Sequence, residues 1–292
     1  MNYNGMIAAS FVLALVGTVT AGPDSEKIAA DYKVLHKDTM QGFERTIVDF
    51  EGCEAWLVEP KTPAADGRWV WCMEWPTAFQ DRTGVKRFLE AGYRWVAFNP
   101  AYSGWIKTVA GNQTEEMVEK RCRWQKYLVS KLGLSAKCGL IGMSWGGFYS
   151  VRYASIHPEC VAAVYLDAPL LDFSTLGSYK RGECKKLQAF YDFATEDYVG
   201  ANDPFQSVNR AEPIAKAKIP LLCLYGGKDG VVPPKDNIER FAPVFEANGG
   251  NLTLMKRGTF GHHPHGLDPS EAGLIVNFFD TAFNPPKKSA KK

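Results

Sequence analysis

One stretch decides the fold: Cys138-Gly139-Leu140-Ile141-Gly142-Met143-Ser144-Trp145-Gly146-Gly147-Phe148. Its first half is a short apolar strand, and after Gly-x-Ser-x-Gly the apolar residues continue with roughly helical spacing as far as His157. A serine in this pattern lies on a tight, strained strand-to-helix turn, so its neighbours must be small. The glycines of the motif leave that room, and the turn places the hydroxyl beside the positive end of a helix. Ser144 is therefore a candidate nucleophile.

The motif alone does not establish catalysis, because glycine and serine are common in turns and a plain strand–turn–helix junction would show the same letters. A serine hydroxyl also needs a base that takes its proton, and the base needs an acid that orients it. After a strand–turn–helix of this kind the acid comes next along the chain and the histidine last. Two downstream loops offer these residues.

The acid is predicted in the loop Gly226-Gly227-Lys228-Asp229-Gly230, which directly follows an apolar strand. Asp229 would lie at the carboxyl end of that strand, where open α/β sheets place their sites. The alternative is a turn aspartate that binds its own backbone. Asp167, at the end of the preceding strand, is a rival acid. Asp229 is better placed for a histidine on the next loop.

The base is predicted in the loop Gly258-Thr259-Phe260-Gly261-His262-His263-Pro264-His265-Gly266, which holds three of the five histidines of the chain. His262 is the first choice, His263 the second, and His265 is expected to support the site or face the substrate. Clustered histidines can bind zinc, which is the alternative. Adjacent histidines point in different directions, however, and no acidic or cysteine ligand joins them before Asp268, so the sequence predicts neither a metal nor a cofactor.

An oxyanion hole needs two backbone N–H groups. One is expected from Trp145, directly after the serine, and the other from Glu74 or Trp75, after the strand at 69–73. Pro76 has no N–H and cannot serve. The Glu74 carboxylate would repel developing negative charge if it pointed inward. It could turn away, bind a sugar hydroxyl, or be a solvated loop acid.

Length and composition indicate one globular domain, with 292 residues, 46% hydrophobic and 23% charged. The net charge of +2 derives partly from the lysines of the last residues, so no nucleic-acid surface is expected. Residues 1–21 resemble a signal peptide, although the usual basic start is missing, and predict export to the periplasm or the exterior without a lasting membrane span. The domain is expected at 22–284, with a cap-like insertion at 168–213 and a basic disordered tail at 285–292.

Strands alternate with helices along the domain, which predicts a mostly parallel sheet with helices on both faces. The segment 27–41 is expected to be a polar entry segment. The insertion is expected to hold short helices at 185–193 and 207–211. The remaining predicted strands are at 43–50, 54–59, 69–73, 93–98, 161–166, 219–225 and 251–256, and the remaining predicted helices at 82–91, 114–132, 235–247 and 271–283.

The serine motif, the Gly227–Pro233 loop and the Gly261–Pro269 loop together resemble the alpha/beta-hydrolase superfamily. More narrowly, they are similar to secreted bacterial serine esterases, several of which accompany polysaccharide-degrading enzymes. Such relatives often carry arginine where Trp145 stands here. The resemblance implies the alpha/beta-hydrolase fold, a Ser144–Asp229–His262 triad and ester hydrolysis.

The expected substrate is a small-molecule or glycan ester, because aromatic residues of the cap and rim could stack on sugars, although packing in the protein interior would also explain them. A peptidase of the same fold, a non-catalytic binding protein and a metal-dependent hydrolase are the alternatives. The sequence leaves the oligomeric state open. The aromatic residues in question are Trp75, Trp105, Tyr179, Phe190 and Tyr191.

Overall fold

The central feature of the computed structural model, which describes residues 22–100, 115–175 and 202–285, is a nine-stranded sheet. In space the strands run in the order β1-β2-β3-β5-β4-β6-β7-β8-β9. The first three strands and β5 pair antiparallel, whereas the neighbours from β5 through β4 to β9 pair parallel. The predicted mostly parallel sheet is thus confirmed. The strands are β1 (Val34–Met40), β2 (Phe43–Phe50), β3 (Cys53–Val58), β4 (Trp69–Cys72), β5 (Arg94–Pro100), β6 (Cys138–Met143), β7 (Val161–Asp167), β8 (Leu221–Gly226) and β9 (Leu252–Arg257).

Helices cover both faces of this sheet, as predicted. Strand β4 shows why, because its side chains alternate between two separate cores. Trp71 packs in one core with Trp124, and Val70 packs in the other with Phe279. The helices of the described residues are α1 (Pro23–Asp31), α2 (Gln80–Thr83), α3 (Val85–Glu90), α4 (Glu115–Leu132), α5 (Trp145–Ile156), α6 (Ala211–Lys216), α7 (Ile238–Ala247) and α8 (Gly273–Phe283).

The segment 27–41, to which the sequence analysis assigns no helix or strand, holds most of α1 and all of β1. Strand β1 lies at the edge of the sheet and is largely exposed, so its sequence shows no clear apolar alternation. The signal that could have revealed it is the pair Gln41-Gly42, with φ of 55° and 81°. Two successive positive φ values form the type I′ turn of a two-residue hairpin.

Several predictions fall on residues outside the described ranges. The leader 1–21, most of the cap-like insertion with its helix at 185–193, and the tail from 286 onward belong to this group, as do Trp105, Tyr179, Phe190 and Tyr191. Within the insertion, the predicted helix at 207–211 is instead a 3₁₀ turn at Ser207–Asn209 followed by α6. No helix among the described residues combines the length and apolarity needed to cross a bilayer.

Candidate active site

The serine turn is built by the junction of β6 and α5. Ser144 has φ 48° and ψ −117°, a strained conformation that holds the side chain away from the sheet. A Cβ atom on Gly142 would lie 2.5 Å from the Gly146 carbonyl oxygen, so only glycine allows this close return of the chain. The Ser144 N–H donates to the Asp167 carbonyl at 3.0 Å, which ties the turn to the neighbouring strand.

The structure brings Ser144, His262 and Asp229 into one hydrogen-bonded chain. His262 Nδ1 lies 2.8 Å from Asp229 Oδ2, and His262 Nε2 lies 3.1 Å from Ser144 Oγ. An ionised carboxylate only accepts hydrogen bonds, so Nδ1 carries the proton and donates it to Asp229. Nε2 is then left with a lone pair that faces the serine hydroxyl. This is the arrangement that a general base needs.

The environment keeps Asp229 ionised. Burial raises the pKa of this carboxyl, but the His262 hydrogen bond and the backbone N–H groups of Val232 and Val231 outweigh it, so the pKa lies below its ordinary value. These N–H groups donate to Asp229 Oδ1 at 2.8 and 2.9 Å. Asp229 is 6% exposed and His262 is 7% exposed, so water competes little for either group.

The rival acid Asp167 is paired with a different histidine. Its Oδ1 lies 2.8 Å from His265 Nδ1, and its Oδ2 accepts the Tyr165 hydroxyl and the Gly266 N–H, each at 2.6 Å. Tyr165 is not among the site residues that the sequence predicts. The available signal was its position two residues before Asp167 on one strand, which puts both side chains on the same face.

His263, the second choice for the base, has no contact with Ser144 or Asp229 among the hydrogen bonds of the described residues. Its ring stacks on Phe79 with centroids 5.8 Å apart and is largely exposed. Partial burial lowers the pKa of the His263 imidazole, and the neighbouring His265 and His262 lower it further.

The three residues predicted for the oxyanion hole lie near the turn. Trp145 is the first residue of α5, where backbone N–H groups have no intrahelical partner. The Trp75 N–H is engaged by the Glu74 carboxylate at 3.3 Å. Glu74 is 4% exposed, so the interpretation as a solvated loop acid is wrong. Its charge acts on buried Arg121, whose pKa is lowered by burial and raised by nearby groups that include Glu74.

A cavity of about 460 Å³ opens at this site, at the carboxyl ends of the parallel strands. Among the described residues no Asp, Glu, Lys or Arg side chain lines it; the polar lining comes from Ser144 and the histidines, and the rest is mostly apolar. A second cavity of about 520 Å³ lies at the opposite, amino ends of β7, β8 and β9 and contains none of the predicted site residues. The first cavity is lined by Trp75, Ala78, Phe79, Ser144, Trp145, Leu170, Val231, Val232, His262, His263 and His265.

Comparison with known proteins points to one architecture. A family model described as alpha/beta hydrolase fold matches residues 75–203. No curated protein matches the chain in sequence. Among solved structures, an acylaminoacyl peptidase from Pyrococcus horikoshii is similar, with a TM-score of 0.63 and 14% identity over 86% of this chain and 43% of that chain. This chain therefore spans less than half the length of the peptidase.

Two similar structures have about the length of this chain. An esterase, Est2, from Thermogutta terrifontis has a TM-score of 0.57 and 16% identity over 82% of this chain and 95% of that chain. An S-formylglutathione hydrolase from Agrobacterium tumefaciens has a TM-score of 0.56 and 15% identity over 85% of this chain and 95% of that chain. At these identities the likeness establishes the fold and leaves the chemistry to the residues of the site.

Proposed function

We propose that this chain, which has the alpha/beta-hydrolase fold, is a serine hydrolase that cleaves carboxylic esters through an acyl-enzyme intermediate. The resemblance to the alpha/beta-hydrolase superfamily is confirmed by the family match and the structural neighbours. The observation that carries the proposal is the continuous chain from Ser144 Oγ through His262 to Asp229, at 3.1 and 2.8 Å. It supplies a nucleophile, a base and an orienting acid in one place.

In the proposed reaction Ser144 Oγ attacks the ester carbonyl while His262 Nε2 takes the hydroxyl proton. Asp229 holds the Nδ1 proton and stabilises the imidazolium that forms. The tetrahedral intermediate then collapses, the carbon–oxygen bond to the alcohol breaks, and His262 returns the proton to the leaving alcohol. Water attacks the acyl-enzyme by the same route and releases the acid, so the enzyme regains its starting protonation.

The oxyanion is proposed to bind the N–H of Trp145, at the positive end of α5, together with one from the Glu74–Trp75 loop. The Trp75 N–H can take this role only after it leaves the Glu74 carboxylate, which it contacts at 3.3 Å. Substrate binding would therefore have to turn Glu74 aside.

The cavity favours an uncharged ester. Its volume of about 460 Å³ suits a small acyl or aryl group, and the described residues that line it are mostly apolar, with Ser144 and the histidines as the polar part. Trp75, on the cavity wall, could stack on a sugar ring, which keeps acylated carbohydrates within the proposed substrate class.

We also propose that the leader is removed after residue 21. The first described residues are anchored directly on the sheet: the Gly22 N–H donates to Glu44 at 3.0 Å, and the N–H groups of Asp24 and Ser25 donate to buried Glu59 at 3.2 and 2.9 Å. The chain directly after the predicted leader is therefore held on the sheet. Mass spectrometry of protein recovered from the periplasm or medium should show Gly22 at the amino terminus; an intact leader there would contradict the proposal.

The test of the catalytic proposal is Ser144→Ala, with the exposed Ser270→Ala as the matched control. The wild type should hydrolyse p-nitrophenyl acetate and react with a fluorophosphonate probe that mass spectrometry locates on Ser144. Ser144→Ala should lose both properties while circular dichroism stays unchanged, and Ser270→Ala should keep both. Unchanged turnover in Ser144→Ala would refute the mechanism. Efficient cleavage of aminoacyl-nitroanilides by the wild type would show that the enzyme is a peptidase and contradict the proposed esterase activity.

A further inference from the structure

Three imidazole rings form a compact group beside Ser144. The ring centroids of His262, His263 and His265 lie 4.7, 4.9 and 4.9 Å apart, and the ring planes are inclined by 67°, 82° and 88°. One nitrogen of each ring lies within 4.8 Å of one nitrogen of each other ring. The three rings are thus nearly equidistant and steeply inclined to one another, an arrangement in which each can direct a nitrogen at a shared ion.

Two of these rings are already oriented by buried carboxylates. Asp229 accepts from His262 Nδ1 and Asp167 accepts from His265 Nδ1, each at 2.8 Å. In both rings Nε2 therefore carries the lone pair, and both rings line the cavity. A histidine whose other nitrogen is held by a carboxylate is the usual partner of a protein-bound transition metal. The sequence did not indicate this arrangement, because it is Asp167, almost a hundred residues away, that orients His265.

We propose that His262, His263 and His265 form an inhibitory site for a divalent transition metal ion of the Zn²⁺ or Co²⁺ type. Imidazole nitrogens suit these ions, and three of them leave one position of a tetrahedron open to water. Zinc–nitrogen bonds of about 2.1 Å place the ligand nitrogens about 3.4 Å apart, so the rings must approach one another. The exposed His263 can make most of that movement.

Metal binding and nucleophile activation exclude each other in this site. The ion would use the Nε2 lone pair of His262, which faces Ser144 Oγ at 3.1 Å. A base whose lone pair is bound to a metal cannot take the serine proton. The inhibition rests on the proposed function, but the binding does not, so the two can fail separately.

Binding is tested on the full chain by titration with Co²⁺, which absorbs visibly when tetrahedral, and with Zn²⁺ by calorimetry. We expect one ion per chain and at least a tenfold loss of affinity in His265→Gln and in the exposed His263→Gln. Asp167→Asn should weaken binding about 10- to 100-fold. Ser144→Ala should bind at least as tightly as the wild type, because no hydroxyl has to leave His262. Wild-type affinity in both histidine variants would overturn the proposal.

Two control variants locate the ion. His36 is exposed and distant, so His36→Gln should bind as the wild type does. His157 lies with Glu119 and Cys122 in another group of potential ligands. Loss of the site in His157→Gln, with binding kept in His265→Gln, would assign the ion to that group and overturn the proposal.

Inhibition is measured as the ratio of p-nitrophenyl acetate hydrolysis with and without Zn²⁺ within each variant. The ratio should fall steeply in the wild type, return to one after EDTA, and stay near one in His263→Gln. A wild type that binds the ion at these histidines and hydrolyses no ester would leave the site standing and refute the proposed function. A fully active zinc-bound wild type would overturn the inhibitory role.

Discussion

Replacing Asp229 by asparagine should move the ring proton of His262 from Nδ1 to Nε2, the nitrogen that faces Ser144. Asp229 Oδ1 accepts two backbone N–H groups, from Val231 and Val232, at 2.9 and 2.8 Å. Only an oxygen can take that place, so the asparagine amide nitrogen must face His262 Nδ1, which stands 2.8 Å from Oδ2 in the native protein. Nδ1 then has to accept, and the ring proton moves to Nε2. With a proton on Nε2, His262 cannot act on Ser144.

The expected loss of kcat follows from the free energy needed to restore the tautomer that carries its proton on Nδ1. To restore it, the amide must rotate, lose two hydrogen bonds and point its nitrogen at two N–H groups. At about 1–3 kcal/mol for each buried group left unsatisfied, the active arrangement is disfavoured by about 2–6 kcal/mol. With about 1.36 kcal/mol for each tenfold change in rate, the loss centres on about 10³-fold. Binding of the substrate should change much less, because Asp229 does not line the cavity.

The assay is steady-state hydrolysis of p-nitrophenyl acetate by wild type and Asp229→Asn, with Asp268→Asn as the matched control. Asp268 is exposed on the histidine loop and only accepts bonds from Ser270. We expect kcat to fall about 10³-fold in Asp229→Asn with KM within a factor of a few, and no change in Asp268→Asn. A folded Asp229→Asn enzyme within fivefold of wild-type kcat would refute the assignment of the acid.

Three further changes test the fold and its coupling to the site. Trp71→Ala, in the centre of the sheet and fully buried, should lower the free energy of unfolding by about 3–5 kcal/mol in guanidinium titrations followed by circular dichroism, and a loss below 1 kcal/mol would contradict the packing. A Cβ on Gly226 would lie 2.1 Å from the Gly261 carbonyl oxygen, so Gly226→Ala should displace the His262 loop and reduce kcat about 10²-fold. Gly230→Ala is the control and should leave kcat unchanged, because its Cβ would lie in open space. Asp38 pairs across the β1–β2 hairpin with Arg45, whose hydrogen bonds hold the pKa of Asp38 below its ordinary value. Because that pKa is lowered in the folded state, the pair stabilises the protein above about pH 4, and this stabilisation is lost as the pH falls through the pKa of the folded state. Asp38→Asn should therefore be about 0.2–1 kcal/mol less stable than the wild type at pH 7 and equally stable near pH 2. An equal loss of stability at both pH values would contradict this linkage.

Three residues of the candidate site could be predicted because a local sequence signal coincides with a position at a strand end. The apolar strand, the glycines around Ser144 and the chain order of Asp229 and His262 are all visible in single segments. Because parallel strands end at one edge of the sheet, residues that follow successive strands must meet there. The structure brings these three residues together, and their proximity can be predicted without knowing how distant segments pack.

Features that depend on contacts between distant segments could not be predicted from the sequence. Strand β1 is an edge strand whose few buried residues produce no apolar alternation, so its sequence signal is the turn at Gln41-Gly42. The pairing of Asp167 with His265 joins residues 98 positions apart and depends on how the histidine loop folds back. Glu74 reads as a solvated acid because it is a charged residue in the loop after a predicted strand, yet it is 4% exposed and lies against Gly146 of the serine turn. Such burial follows from the whole fold.

The histidine loop is fixed at two separate strand ends, and this explains why both Asp167 and Asp229 belong to the site. Asp229, after β8, holds His262, while Asp167, at the end of the adjacent β7, holds His265. Arg82 adds two bonds, to the carbonyls of His265 and Gly266, at 2.9 and 3.1 Å. A loop held at both ends keeps the imidazole of His262 in place without reorganisation during the proposed attack by Ser144. Asp167 therefore does not compete with Asp229 for His262, because each of the two aspartates binds its own histidine. The Asp167–His265 pair instead holds the loop that carries His262.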